Sequence, residues 1–145
     1  MVKYRCHQKE AVIEEGGILK TIGDRLKSQN LIKIKQIVTK DKNGDKFIIV
    51  RTKKNIEFMR EYGLNDEDVK HIIKGLSTED CFSGPELDRN PNYDGMIFKF
   101  SPMFENIKLY VKIRIENIEK AVCISVHEFG KYDEVEWNES ILSIL

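Results

Sequence analysis

The chain has 145 residues, 41% hydrophobic and 33% charged, with 24 Lys/Arg against 24 Asp/Glu and a formal net charge of zero. That length suits a single domain with a substantial core, and the neutral balance excludes attraction to a polyanion through overall charge alone. The charge is unevenly spread, with 11 Lys/Arg against 6 Asp/Glu in residues 1–50 and 13 against 18 beyond, so the N-terminal third reads either as an ordinary mixed surface or as a basic region that touches phosphate.

Cys6, Cys81 and Cys123 are odd in number and lack CxxC spacing, which argues against a disulfide framework or a zinc ribbon. Cys81 reads as a free buried thiol in a reducing cytoplasm, and Cys6-His7 alone is too few ligands for a metal. No signal peptide and no apolar run of membrane-spanning length is evident, so the expectation is a cytoplasmic protein with no membrane partner and no cofactor.

In chain order, Val12-Ile13, Ile18-Leu19, Ile22 and Leu26 predict an amphipathic helix from about Glu10 to Gln29, weakened or split at Gly16-Gly17. Leu31–Val38 and Phe47–Val50 then flank Asn43-Gly44, a strong hairpin signal, with Lys33 and Lys35 on one side. Asn55–Glu61 predicts a short helix closed by Gly63. Asn65 predicts the N-cap of another, with Asp66, Glu67 and Asp68 in its first turn and Val69, Ile72, Ile73 and Leu76 as its buried stripe. Ser83–Gly95 carries the turn chemistry of a long loop. The tail from Lys131, with Trp137, Ile141, Leu142, Ile144 and Leu145, offers an apolar surface for docking on the body or for self-association.

The alternating stretches Met96–Phe100, Tyr110–Ile115 and Val122–His127 predict three strands. Alternation sends Val111, Ile113 and Ile115 to one face, with Val122, Ile124 and Val126 matching them, and leaves Lys99, Tyr110, Lys112, Arg114, Ser125 and His127 on the other. Residue numbers summing to 235 across a tight Glu116–Glu119 turn would set Tyr110 against Ser125 and Lys108 against His127. A bulge would break this register.

Metal-free RNA cleavage needs a base for the 2′-hydroxyl, an acid for the leaving 5′-oxygen, and cations for the charge on phosphorus. His127 is the histidine of this cluster, and histidine as a residue type is the usual acid or base near neutral pH. Lys99, Lys112 and Arg114 suit phosphate, Tyr110 suits hydrogen bonding or base stacking, and Ser125 and Lys108 lie in reach of a bound strand. A half-buried sheet tyrosine, a structural histidine and a solvated basic face account for the same spacing.

The run Ile72-Ile73-Lys74-Gly75-Leu76-Ser77-Thr78-Glu79-Asp80, the stretch Tyr110-Val111-Lys112-Ile113 and the stretch Cys123-Ile124-Ser125-Val126-His127-Glu128 resemble the motility quorum-sensing regulator (MqsR-type) toxins over roughly residues 53–129. The resemblance implies an α+β fold of the RelE-like ribonuclease kind: an antiparallel twisted sheet packed against helices, here with an N-terminal helix and β-hairpin extension in residues 1–50. It implies a type II toxin that cleaves single-stranded mRNA without a metal, inhibits translation and is restrained by a cognate antitoxin. The family's tyrosine falls on Tyr110 and its neighbouring lysine on Lys112. A family glutamine falls on Lys99, a family lysine on His127, and another near Ser83, where this chain has no base. A non-catalytic relative, such as a phage-borne inhibitor or partner-binding module with the same fold, is the alternative.

Overall fold

The computed structural model describes residues 12–15, 18–93 and 95–132, with side chains from residue 22 onward. Cys6-His7 and the apolar tail beyond Tyr132 lie outside the described residues. The elements are β1 (Val12–Glu15), β2 (Ile18–Thr21), α1 (Ile22–Lys40), β3 (Phe47–Ile49), α2 (Lys53–Glu61), α3 (Asp66–Lys74), β4 (Cys81–Leu87), β5 (Met96–Phe100), β6 (Met103–Phe104), β7 (Ile107–Asn117) and β8 (Lys120–Glu128). Among the described residues the fold is α+β, with a mixed, mostly antiparallel sheet ordered β3-β8-β7-β5-β4 and three α-helices. No helix among the described residues is long and apolar enough to cross a membrane.

The expected N-terminal helix is present from Ile22 to Gln29, as the start of α1, and the chain on either side of that stretch differs from expectation. Val12–Glu15 and Ile18–Thr21 form the antiparallel β1–β2 pair, and Leu31–Val38 is helical, within α1. Leu31, Ile34, Ile37 and Val38 are buried while Ile32 is 57% exposed. A strand would have put Ile32 and Ile34 on one face; three- and four-residue spacing is what the burial follows. The Ile-Lys-Ile-Lys run imitates a period of two, and tertiary packing of the helical stripe overrides it.

Asn43-Gly44 turns the chain, but from α1 into β3 rather than between paired strands. The Asp41 carboxylate organises this turn, accepting from the amides of Gly44 (3.2 Å), Lys46 (2.8 Å) and Phe47 (3.1 Å). β3 then runs parallel to β8, Phe47 opposite Ala121, which makes the sheet mixed. Leu31, Ile34, Phe47 and Ile49 join the same core as Phe58, Val69, Phe98 and Val111, so residues 31–49 are integral to the body.

α3 forms as its cap predicts, and α2 starts at Lys53, two residues before the expected Asn55. Thr52 accepts from the Asn55 amide at 3.2 Å, and Asn65 and Asp68 make a reciprocal capping box at 2.9 Å each way. Val69, Ile73 and Leu76 are buried and Ile72 is half-buried.

Part of the expected loop is strand: Cys81–Leu87 is β4, paired irregularly with β5, and only the stretch from Asp88 onward connects them. β6 and β7 meet across Glu105 and Asn106, both at positive φ, a two-residue hairpin that matches strand twist.

The three central strands stand where alternation predicts, but the β7–β8 register does not. Tyr110 faces His127 and Lys112 faces Ser125, so the numbers sum to 237 rather than 235. Ile118 and Glu119 alone make the turn between the paired Asn117 and Lys120. A bulge follows between the Lys112–Ser125 and Ile113–Cys123 pairs. Beyond it Ala121 and Cys123 join Val126 in the core, while Val122 sits opposite Arg114 on the other face.

Asn55, wholly buried on α2, binds this irregularity. Its Nδ2 donates to the Val50 (2.8 Å) and Ile124 (3.0 Å) carbonyls, and its Oδ1 accepts from the Val126 amide (2.9 Å). One amide thereby supplies backbone partners where the ladder is broken.

Candidate functional site

The helices cover the face bearing Phe98, Phe100, Val111 and Ile113. The other face gathers the residues that alternation selects. Lys99 pairs with Lys112 and Lys112 with Ser125, forming one row across β5, β7 and β8; Tyr110 and His127 form the next. The basic α1 residues, including exposed Lys33, belong to the helical layer and take no part in this face.

Tyr110 and His127 are stacked, with centroids 5.4 Å apart and planes at 24°. Tyr132 meets the imidazole edge-on at 5.0 Å, and its hydroxyl donates to Glu57 at 3.1 Å. On the other side Tyr110 is 6.2 Å from Phe82 and 6.1 Å from Phe129, which are 5.8 Å from each other. A continuous series of rings therefore runs from β4 across β7 and β8 to the chain beyond. Phe82 is 47% exposed and Phe129 40%, whereas His127 is 2% exposed.

Cations border the rings. Lys108 Nζ lies 4.6 Å from the Phe129 centroid, and Lys54 and Lys131 lie 5.4 and 5.6 Å from that of Tyr132. Such cation–π contacts hold ammonium groups beside the stacking surface.

The Lys99 ammonium is 3.3 Å from Glu86 on β4, and Ser83 Oγ donates to the other Glu86 oxygen at 2.6 Å. Burial alone pushes the Glu86 carboxyl up, but Ser83, Lys99 and Lys112 together bring it below its ordinary range. Ser83 and Glu86 share a side because β4 is irregular between them. Gly84 permits this: at φ +124°, a Cβ there would meet Phe98 Cδ2 at 2.7 Å and the Ile97 carbonyl at 2.8 Å.

Three expectations change in the structure. Arg114 is 8% exposed, held by Asp88 (2.9 Å) and Glu116 (2.8 Å) under the Tyr93 ring (4.2 Å), so its guanidinium anchors the β4–β5 connection instead of facing a substrate. His127 is enclosed by Tyr110 and Tyr132, with Nδ1 3.0 Å from the Glu128 carbonyl, so it reaches a molecule on the face only if a ring moves. Lys108 is placed beside Phe129 and not opposite His127. Glu128, as alternation requires, points away and accepts from the Tyr62 hydroxyl at 2.5 Å, which pushes the phenol up to about 12.

Sequence reasoning missed Phe82, Glu86, Phe129 and Tyr132. The first two lie where turn-forming residues hide a strand, and the last two follow the final strand. Among the described residues no three His, Cys, Asp or Glu side chains converge as a cation site. Cys81 and Cys123 are buried free thiols, and complete burial pushes Cys123 up to about 12. Compared with known proteins, the chain matches no family model, no curated protein and no solved structure.

Proposed function

We propose that this chain is a metal-independent endoribonuclease toxin with an MqsR- and RelE-like fold, which takes single-stranded mRNA across the open sheet face. The carrying observation is the ring series Phe82–Tyr110–His127–Tyr132, bordered by Lys108, Lys54 and Lys131 and adjoined by the Lys99–Lys112 row. Aromatic rings stack bases without regard to sequence, and ammonium groups track the phosphates between them. Local arrangement achieves this despite zero net charge.

In this reading Tyr110 positions the RNA, Lys99 and Lys112 stabilise charge on the scissile phosphate, and His127 steadies Tyr110 by stacking beside it from the neighbouring strand. The 2′-oxygen attacks phosphorus and the 5′-oxygen leaves. A cognate antitoxin restrains the enzyme by covering the same face. The resemblance of residues 53–129 to MqsR-type toxins supports the reaction assigned to it.

Enclosure of His127 at 2% exposure and pairing of Lys99 with Glu86 favour a second reading, in which a relative with this fold binds RNA or a partner without cutting. Incubating the full chain with a long single-stranded RNA in EDTA separates the two. The enzyme reading expects fragments ending in 2′,3′-cyclic phosphate and a rate lower by about 100-fold in Tyr110→Ala. Intact RNA bound tightly by wild type would establish the second reading.

A further inference from the structure

Metal-free cleavage on this face needs a group to accept the 2′-hydroxyl proton, and the enclosed imidazole of His127 is poorly placed to do so. The strand at the sheet edge carries a better-placed group. Glu86 lies on β4 with its side chain 39% exposed, and its two oxygens meet Lys99 Nζ at 3.3 Å and Ser83 Oγ at 2.6 Å. The irregular β4–β5 pairing aims it at the Lys99–Lys112 row, the same row that the proposed function uses for phosphate. An accessible carboxylate fixed by a hydroxyl beside two ammonium groups joins a proton acceptor to charge stabilisers within one patch.

We propose that Glu86 is the general base of this ribonuclease, oriented by Ser83 and Lys99; the inference rests on the endoribonuclease reading above. A Glu86 oxygen takes the 2′-hydroxyl proton as the 2′-oxygen forms its bond to phosphorus. The bond from phosphorus to the 5′-oxygen breaks, and that oxygen takes a proton from the Lys112 ammonium, which solvent then restores. Solvent also carries away the proton held by Glu86, leaving a 2′,3′-cyclic phosphate and a 5′-hydroxyl. Lys99 remains charged beside the phosphate throughout.

Substrate also readies the base. The groups facing Glu86 are Ser83, Lys99 and Lys112, and all three hold its carboxyl low in the resting protein. A phosphate that engages the two lysines weakens their hold on the carboxylate and makes it more basic when RNA is in place. The acid limb of the cleavage profile is therefore expected at higher pH for bound RNA than for free enzyme.

The test compares wild type, Glu86→Gln and Glu86→Asp. Cleavage of a single-stranded RNA is measured in EDTA from pH 4 to 8, and affinity with a 2′-O-methyl strand that cannot be cut. Glu86→Gln keeps the size and the Ser83 contact but removes the base. It is expected to cut at least about 100-fold more slowly with affinity equal to or higher than wild type and an unchanged melting temperature, and to lose the acid limb; Glu86→Asp is expected to regain part of the rate. A Glu86→Gln enzyme within a few-fold of wild type, or one whose lost rate is matched by lost affinity, overturns the assignment and leaves the ribonuclease reading standing. An inert wild type that still binds the strand overturns both.

Discussion

Tyr110 on β7 lies directly opposite His127 on β8, and their rings stack 5.4 Å apart at an interplanar angle of 24°. Strand pairing thus stacks the two rings side by side on one face, the imidazole buried and the phenol partly exposed. Packing is then the histidine's contribution, and a residue of similar shape preserves it. His127→Phe is expected to keep affinity for single-stranded RNA within about threefold, whereas His127→Ala lowers it by about tenfold and stability by about 2–4 kcal/mol. Titration of a labelled RNA and urea denaturation check both. Abolished cleavage in His127→Phe at unchanged affinity would instead make His127 an acid or base.

Asn55 predicts a large stability effect far from any ligand. Replacing it with Ala leaves the part-buried Val50 and Ile124 carbonyls and the buried Val126 amide without their present partner. Each such group costs about 1–3 kcal/mol, so Asn55→Ala is expected to destabilise the fold by about 2–5 kcal/mol. Asn55→Asp keeps the acceptor but loses the donor, and is expected to be destabilised as well. Urea midpoints measure both.

The Asp41–Lys70 pair gives a pH signature. Their side chains are 0% and 7% exposed and meet at 2.5 Å. Burial by itself pushes the Asp41 carboxyl up, but hydrogen bonds from Lys70 and the Lys46 and Phe47 amides, with the Lys70 charge, hold it at about 2 against an ordinary 3.8. A depressed carboxylate contributes stability that is present above 3.8 and lost as pH falls toward 2. Lys70 is raised, chiefly by its hydrogen bond to Asp41, so its contribution is present at neutral pH and lost only on strongly alkaline titration. Wild type is therefore expected to lose stability steeply between pH 4 and 2. Asp41→Asn is expected to be about 3–5 kcal/mol less stable at pH 7, with a flatter acid profile. Denaturation midpoints at pH 7, 4 and 2.5 test this.

Salt dependence reports the basic row. For a single strand the logarithm of affinity falls with the logarithm of salt concentration with a slope of about −0.7 for each phosphate neutralised. Lys112→Ala is expected to reduce the magnitude of that slope by about 0.7 and to weaken binding similarly across RNA sequences. Tyr110→Ala is expected to weaken binding with the slope unchanged, because a ring neutralises no phosphate.

Much of this arrangement was legible because strands and caps declare themselves locally. Lys99, Tyr110, Lys112, Ser125 and His127 share a face by alternation alone, and Asn65 and Asp68 cap α3 as their order predicts. What the sequence concealed depended on non-local packing. Ile32-Lys33-Ile34-Lys35 alternates like a strand and folds as helix because Leu31, Ile34 and Val38 find one core. The two-residue slip in register follows from a shorter β7–β8 turn, and the change of face before Ser125 from a bulge stabilised by Asn55, 71 residues from Val126. Arg114 resembled a phosphate ligand until the chain beyond Leu87 brought Asp88 and Tyr93 over it.

The most direct test of the central claim is equilibrium binding of a 2′-O-methyl single-stranded RNA to wild type and to a Tyr110→Ala, Lys112→Ala double variant. RNA held on the open sheet face requires wild type to bind and the double variant to lose affinity by roughly 30-fold or more, with its melting temperature retained. Equal affinity in the two proteins, or no binding by wild type at low salt, would contradict it.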